Sequence, residues 1–181
     1  MKSLFKTIIK PYGERYNNTE GNLIVNASID IKDYQYTNRI GVVVTPSHHA
    51  PIVDAGDLVI VHHNVFRQYW GFSTHLRTSS SDLDDGTFAV NNESIYAYNK
   101  GDGWVCLNDT CFITPVEAPD TDLLLTLDKY LPNIGKVAYG APMGLQEGDT
   151  VIFKPYSEHK YTIDDTLMYR MKHSDIIGEI L

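Results

Sequence analysis

The chain has 181 residues, is 43% hydrophobic and 21% charged, and carries a net charge of −8. That length suits one medium domain or two small ones. The acidic balance and the scatter of the fifteen Lys and Arg residues exclude nucleic acid as the main partner, because phosphate binding draws on clustered basic groups; no stretch approaches the roughly 20 apolar residues that span a bilayer.

The first residues, MKSLFKTIIKPYGERY, have no continuous apolar core, so they read as mature sequence rather than a signal peptide. A polar, Asn-rich segment follows from Asn17 to Arg39 and contains GNLIVN. Its Leu23, Ile24 and Val25 fit either an alternating strand or an aliphatic triplet on a loop. From Ile40 onward, apolar residues alternate or come in short runs: Ile40, Val42 and Val44, then Leu58 to Val61, Ile95 and Ala97, Val151 to Phe153. Pro, Gly, Asn and Asp clusters separate them, and helical periodicity is nearly absent. This pattern predicts an all-β barrel or sandwich, with one helical turn near Lys172 to Ile177.

The chain also repeats itself. RIGVVVTPSHHAPIVDAGDLVIV and NIGKVAYGAPMGLQEGDTVIF align Gly41 with Gly135 and Gly56-Asp57 with Gly148-Asp149, with a gap of about two residues in the loop. The alignment continues by matching Gly86–Asn99 with Lys160–Met171, and by letting CFITPVE and SDIIGEI each close a unit. Residues 68–85, rich in Ser and Asp, are extra in the first copy and read as a long loop. Two related β units are expected, 1–117 and 118–181, or one barrel with an elaborated β layer.

Chemistry-bearing residues are few. The pairs His48-His49 and His62-His63 invite a metal site, but neighbours on a strand project to opposite faces, so each pair offers one ligand and no third group completes a set. Cys106 and Cys111 flank a hairpin-like LNDT and read as free thiols of a reduced, cytoplasmic protein rather than as a disulfide or a nucleophile. No nucleophile elbow, phosphate loop or dinucleotide fingerprint occurs. The expectation is a protein with no catalytic residues, no metal and no cofactor. The aromatics of FRQYWGF, Phe66 to Phe72, form either a binding surface or the cover of a barrel end.

Gly135-Lys136-Val137, Gly148-Asp149-Thr150-Val151-Ile152-Phe153 and Ser174-Asp175-Ile176 resemble, in that order, the C-terminal half of GroES-like co-chaperonins. IIKPYGERY, Ile8 to Tyr16, resembles the family's opening strand, and GNLIVN stands where the family has its mobile loop. The resemblance implies a GroES-like β-barrel, a non-enzymatic role, and a GroEL-type chaperonin as partner. It implies contact with that chaperonin through Leu23, Ile24 and Val25, and a ring closed through Ile8, Ile9, Ile176 and Ile177. It departs from the family in length, in VHHNVFRQYWG and in the insertion. Divergent viral members and tandem barrels fit those departures, with the host cytoplasm as the location if viral. The alternative reading is a structural β-barrel assembly protein, for example a virion component, that reuses the fold; a metal-dependent enzyme built on the His pairs is a third.

Overall fold

A computed structural model describes residues 3–14, 19–20, 23–24, 38–70, 76–119 and 129–181. In chain order the strands are β1 (Thr7–Pro11), β2 (Thr19–Glu20), β3 (Leu23–Ile24), β4 (Ile40–Thr45), β5 (Leu58–Val61), β6 (Gln68–Trp70), β7 (Leu76–Thr78), β8 (Phe88–Val90), β9 (Ile95–Asn99), β10 (Trp104–Cys106), β11 (Thr110–Glu117), β12 (Tyr130–Tyr139), β13 (Thr150–Phe153), β14 (His159–Ile163), β15 (Thr166–Lys172) and β16 (Ile176–Glu179). Single 3-10 turns at Asn92–Ser94 and His173–Asp175 lead into β9 and β16. The second lies where the sequence predicts a helical turn.

The fold is all-β, with two six-stranded sheets. One runs β10-β9-β5-β4-β1-β8, the other β14-β15-β11-β12-β13-β16. The chain divides into two compact units, Met1–Trp104 and Val105–Leu181. The sequence expectation put the division after residue 117. β11 pairs with β12 and β15, so the strand read as closing the first unit instead opens the second.

The two sheets share one plan. β9-β5-β4-β1-β8 and β16-β13-β12-β11-β15 are the same five strands in the same order. Registers agree residue by residue. Ile9 faces Val43 and Pro11 faces Gly41, with a bulge between Ile8 and Ile9. Ile113 faces Val137 and Pro115 faces Gly135, with a bulge between Phe112 and Ile113. Val61 faces Ile95 after a shift in register, and so does Phe153 with Ile176. A bulge inserts one residue and turns the strand, so a bulge at the same place in both copies bends both sheets alike.

The core follows. Cys111, Ile113, Val137, Val151, Phe153, Tyr169 and Met171 pack together in the second unit. Their register partners in the first, Thr7, Ile9, Val43, Val59, Val61, Phe88 and Val90, are all buried. Edge-to-face aromatic pairs join each core, Phe66 on Phe88 at 4.9 Å and Phe153 on Tyr169 at 6.1 Å.

Part of the sequence alignment shifts. Ala89 accepts its place beside β1 as Arg170 does beside β11, and the bridge of Asp82 to Phe88 matches that of Lys160 to Tyr169. Residues 82–90 therefore correspond to 160–171, and β9 to β16. The segment joining the bridged residues is shorter in the first copy, Asp82 to Phe88 against Lys160 to Tyr169, and matching strand–turn–strand by composition slipped the copies by one strand. The insertion is also more than a loop: β6 and β7 form a hairpin, Gln68 opposite Thr78 and Trp70 opposite Leu76.

Candidate functional site

The residues shared by the two copies turn corners. Asp57 Oδ2 accepts the Asp54 N–H at 2.8 Å, and Asp149 Oδ2 accepts the Gln146 N–H at 2.7 Å. Gly56 N–H donates to the Val43 carbonyl and Gly148 N–H to that of Val137. Both glycines have positive φ, 96° and 98°, which only glycine adopts without cost. Gly-Asp therefore sets the turn that returns β4 onto β5, and β12 onto β13.

The second corner is the 3-10 turn. His62 N–H donates to the Ser94 carbonyl, and Lys154 N–H to that of Asp175. Asn92 Nδ2 donates to the Ala50 carbonyl at 3.1 Å. His173 stands in the same place and reaches the Gly140 carbonyl through Nε2 at 3.0 Å; a carbonyl only accepts, so Nε2 carries the proton. One polar side chain thus latches the long loop after β4 in one copy and after β12 in the other. Asp175 adds a carboxylate that accepts the Lys172 N–H at 3.2 Å and lies 3.5 Å from Lys154 Nζ.

Residues 133–180, which contain both of these corners, match the family model described as Cpn10, Chaperonin 10 Kd subunit. This segment is GroES-like. No curated protein matches the chain. The match covers most of β12 and all of β13 to β16, and the first unit repeats that strand plan with a different sequence. The GroES-like signatures Gly-Asp-x-Val and Ser-Asp-Ile are the capped turns just described, and their aspartates are held by backbone N–H groups.

The expected contact residues fall in different places. Leu23 and Ile24 lie in β3, where Glu20 faces Leu23 and Thr19 faces Ile24; Val25 lies outside the described residues. This short hairpin sits in the connection between β1 and β4. Ile8 and Ile9 are buried, and β1 is paired on one side with β4 and on the other with β8. They hold the core of their own unit and offer no free edge to a neighbour. Ile176 is half-buried at the start of β16, and Ile177 is 63% exposed. Sequence reasoning missed Leu4 and Phe5, 56% and 69% exposed just before β1; a buried strand and its exposed lead-in look alike in an apolar run.

His48 and His49 lie on the loop after β4, where their N–H groups donate to the Ser3 and Leu4 carbonyls and the His49 ring meets Phe5 edge-on at 5.3 Å. His62 and His63 correct an expectation. β5 ends at Val61, so strand alternation does not apply to them, and their rings stack at 4.1 Å. Asn64 N–H donates to His62 Nδ1 at 3.1 Å, which takes that nitrogen away from any metal. Among the described residues no three His, Cys, Asp or Glu gather as a metal site. Phe66 is a core residue rather than part of a surface.

Cys106 and Cys111 are free thiols. They flank a turn in which Asn108 and Asp109 both have positive φ and the Thr110 N–H donates to the Leu107 carbonyl at 3.1 Å. Burial pushes both thiols up to about 12. At neutral pH they carry no thiolate to act as a nucleophile.

Proposed function

We propose that the protein is a non-enzymatic co-chaperonin that forms a ring and caps a GroEL-type chaperonin, the ATP chemistry belonging to the partner. The observation that carries this reading is the GroES-like match of residues 133–180 on a strand plan that the first unit repeats. Each chain then supplies two GroES-like units.

The connection between the first two long strands of a unit is the docking segment. In the first unit it carries Leu23, Ile24 and Val25; in the second, between β11 and β12, the sequence carries Leu123, Leu124 and Leu125. Burying each such side chain in an apolar groove is worth about 1.5–3 kcal/mol, less the cost of ordering the segment. Two segments on one chain, multiplied around a ring, gain by effective concentration.

Ring closure uses the edge of β16. In the first sheet β10 covers the matching strand β9. In the second sheet no described strand covers β16, and Ile177, Ile180 and Leu181 are exposed along it. The stretch before β1 of a second copy, with Leu4 and Phe5 exposed, is the segment that would extend along that edge. It stands in the chain before β1 as β10 stands before β11. The protein works in a reducing cytoplasm, as its two free thiols suit.

A pull-down against a GroEL-type chaperonin tests the reading, with and without ATP. Capture that depends on nucleotide is expected. No capture in either condition, from a protein shown to be folded, overturns it.

A further inference from the structure

Beyond the capping role, the second unit carries basic residues at positions where its copy has none. The turn after β13, strands β14 and β15 and the final 3-10 turn line an open cleft of about 300 Å³, formed in part by Lys154, His159, Arg170, Lys172, Tyr156 and Asp175. Three of the fifteen Lys and Arg residues of a chain with net charge −8 meet here, with one carboxylate among them. His159 and Arg170 are brought together as a cross-strand pair. Lys154 is held in place by the Ser174 carbonyl, 2.6 Å from its Nζ. Tyr156, at φ 64°, stands almost wholly exposed on the rim.

The first unit shows what this fold needs without those charges. The shared registers put His62 where Lys154 is, Ala89 where Arg170 is, Asn91 where Lys172 is and Ser94 where Asp175 is. The same corner closes there without a Lys or Arg at these positions. The cationic set is therefore not a requirement of the corner.

We propose that this pocket binds a compact phosphate-bearing anion of the diphosphate class. The volume lies at the small end of ligand clefts, and Lys and Arg are the groups that hold phosphate oxygens. The anion bridges Lys154, Arg170 and Lys172, and Asp175 opposes it. Two sources share this chemistry, inorganic pyrophosphate and the phosphates of a nucleotide; Tyr156 on the rim would stack on a base only in the second case.

Titration of the whole chain with pyrophosphate, and separately with a nucleoside diphosphate, followed by NMR and calorimetry, tests the proposal. Shifts centred on Lys154, His159 and Lys172 are expected, weakening as salt rises. Lys172→Ala should lose about two- to fivefold in affinity, the range of a single exposed charge contact. Asp175→Asn should gain a similar factor, a change in the direction that damage to the fold cannot give. Lys136→Ala, outside the pocket, should change nothing. Tyr156→Ala weakens the nucleotide alone if the base is recognised; equal weakening of neither ligand assigns the site to the phosphates. Absence of any shift up to about 10 mM ligand, or binding that ignores both Lys172→Ala and Asp175→Asn, overturns it. Neither result bears on chaperonin capture, which the pull-down reads independently.

Discussion

Gly41 and Gly135 hold one position in two sheets: Gly41 faces Pro11 and Val59, and Gly135 faces Pro115 and Val151. Each lies against the strand that opens its unit. A Cβ on Gly41 would sit 3.1 Å from the Lys10 carbonyl oxygen, and one on Gly135 2.8 Å from that of Thr114. The close approach of backbone to backbone, not a turn, requires glycine here. Two copies that keep the same constraint at the same register are the clearest sign of one plan used twice.

The constraint predicts an unequal cost. Gly135→Ala should destabilise by about 3 kcal/mol and Gly41→Ala by about 1 kcal/mol, the span for overpacking a core. At Gly135 the added Cβ would also overlap the Ile113 side chain, closer still than the Thr114 carbonyl, so a buried core side chain and the backbone would both have to give. Urea unfolding of both variants checks the order. Equal costs, or a larger cost at Gly41, would contradict the geometry.

The buried thiols give a pH dependence. Burial penalises thiolate and pushes both groups in the folded protein up to about 12, above the ordinary thiol value of 9.0. Between these values the unfolded chain has released protons that the folded chain keeps, so stability falls as pH rises. It is flat below about pH 9 on this account and declines toward pH 12, by up to about 1.4 kcal/mol per pH unit for the fully buried Cys111. Cys111→Thr, the residue that the first unit carries as Thr7, should remove that share of the slope. Thiol reagents at pH 8 should react slowly with folded protein and fast in urea.

Much of this was legible in the sequence, and the limits were physical. Alternation gave the strands, and Gly-Asp gave the turns because a capped, positive-φ corner tolerates few other residues. The phase of the repeat was harder, since β8-to-β9 and β14-to-β15 both read as strand, polar turn, strand. Composition does not say which strand pairs with which. Ile8 and Ile9 misled for a related reason: aliphatics beside a terminus look the same in a covered strand and in an open edge. The pocket of Lys154, Arg170 and Lys172 draws on two separate stretches of chain, 154–159 and 170–175, so only the pairing of β14 with β15 and the last 3-10 turn assembles it.

Docking should respond to charge in both aliphatic connections. Ile24→Asp is expected to weaken chaperonin binding by roughly a hundredfold, since a carboxylate would have to enter an apolar groove. Leu124→Asp should weaken it too, and the double variant should abolish it, as expected when linked contacts reinforce one another. Calorimetric titration reads the affinities, and circular dichroism checks the fold. Full affinity in the double variant would remove both connections from the interface. Unfolding caused by Ile24→Asp alone would instead assign Leu23–Ile24 to the framework of the first unit.

Assembly should depend on the edge of β16. That strand pairs with β13 through Ile176, Gly178 and Glu179, and the Ile180 N–H donates to the Thr150 carbonyl at 2.8 Å. Ile177 lies at the register shift and is 63% exposed. An exposed apolar edge is a template for another strand, and head-to-tail pairing removes it only if the rotation closes into a ring; otherwise the contact propagates as a fibre. Native mass spectrometry at micromolar concentration should show one discrete oligomer. Ile177→Lys puts a charge on the edge and leaves the strand and its core contacts in place, so it should yield monomers. Its unfolding free energy should stay within about 0.5 kcal/mol of the unchanged monomer's, as for other exposed substitutions. Leu4→Lys and Phe5→Lys should act the same way from the opposite side of the joint. Dissociation by Ile177→Lys but not by the N-terminal changes would keep the β16 edge and replace its partner strand. A wild-type chain that stays monomeric, with or without chaperonin, would remove the ring and the capping mechanism with it.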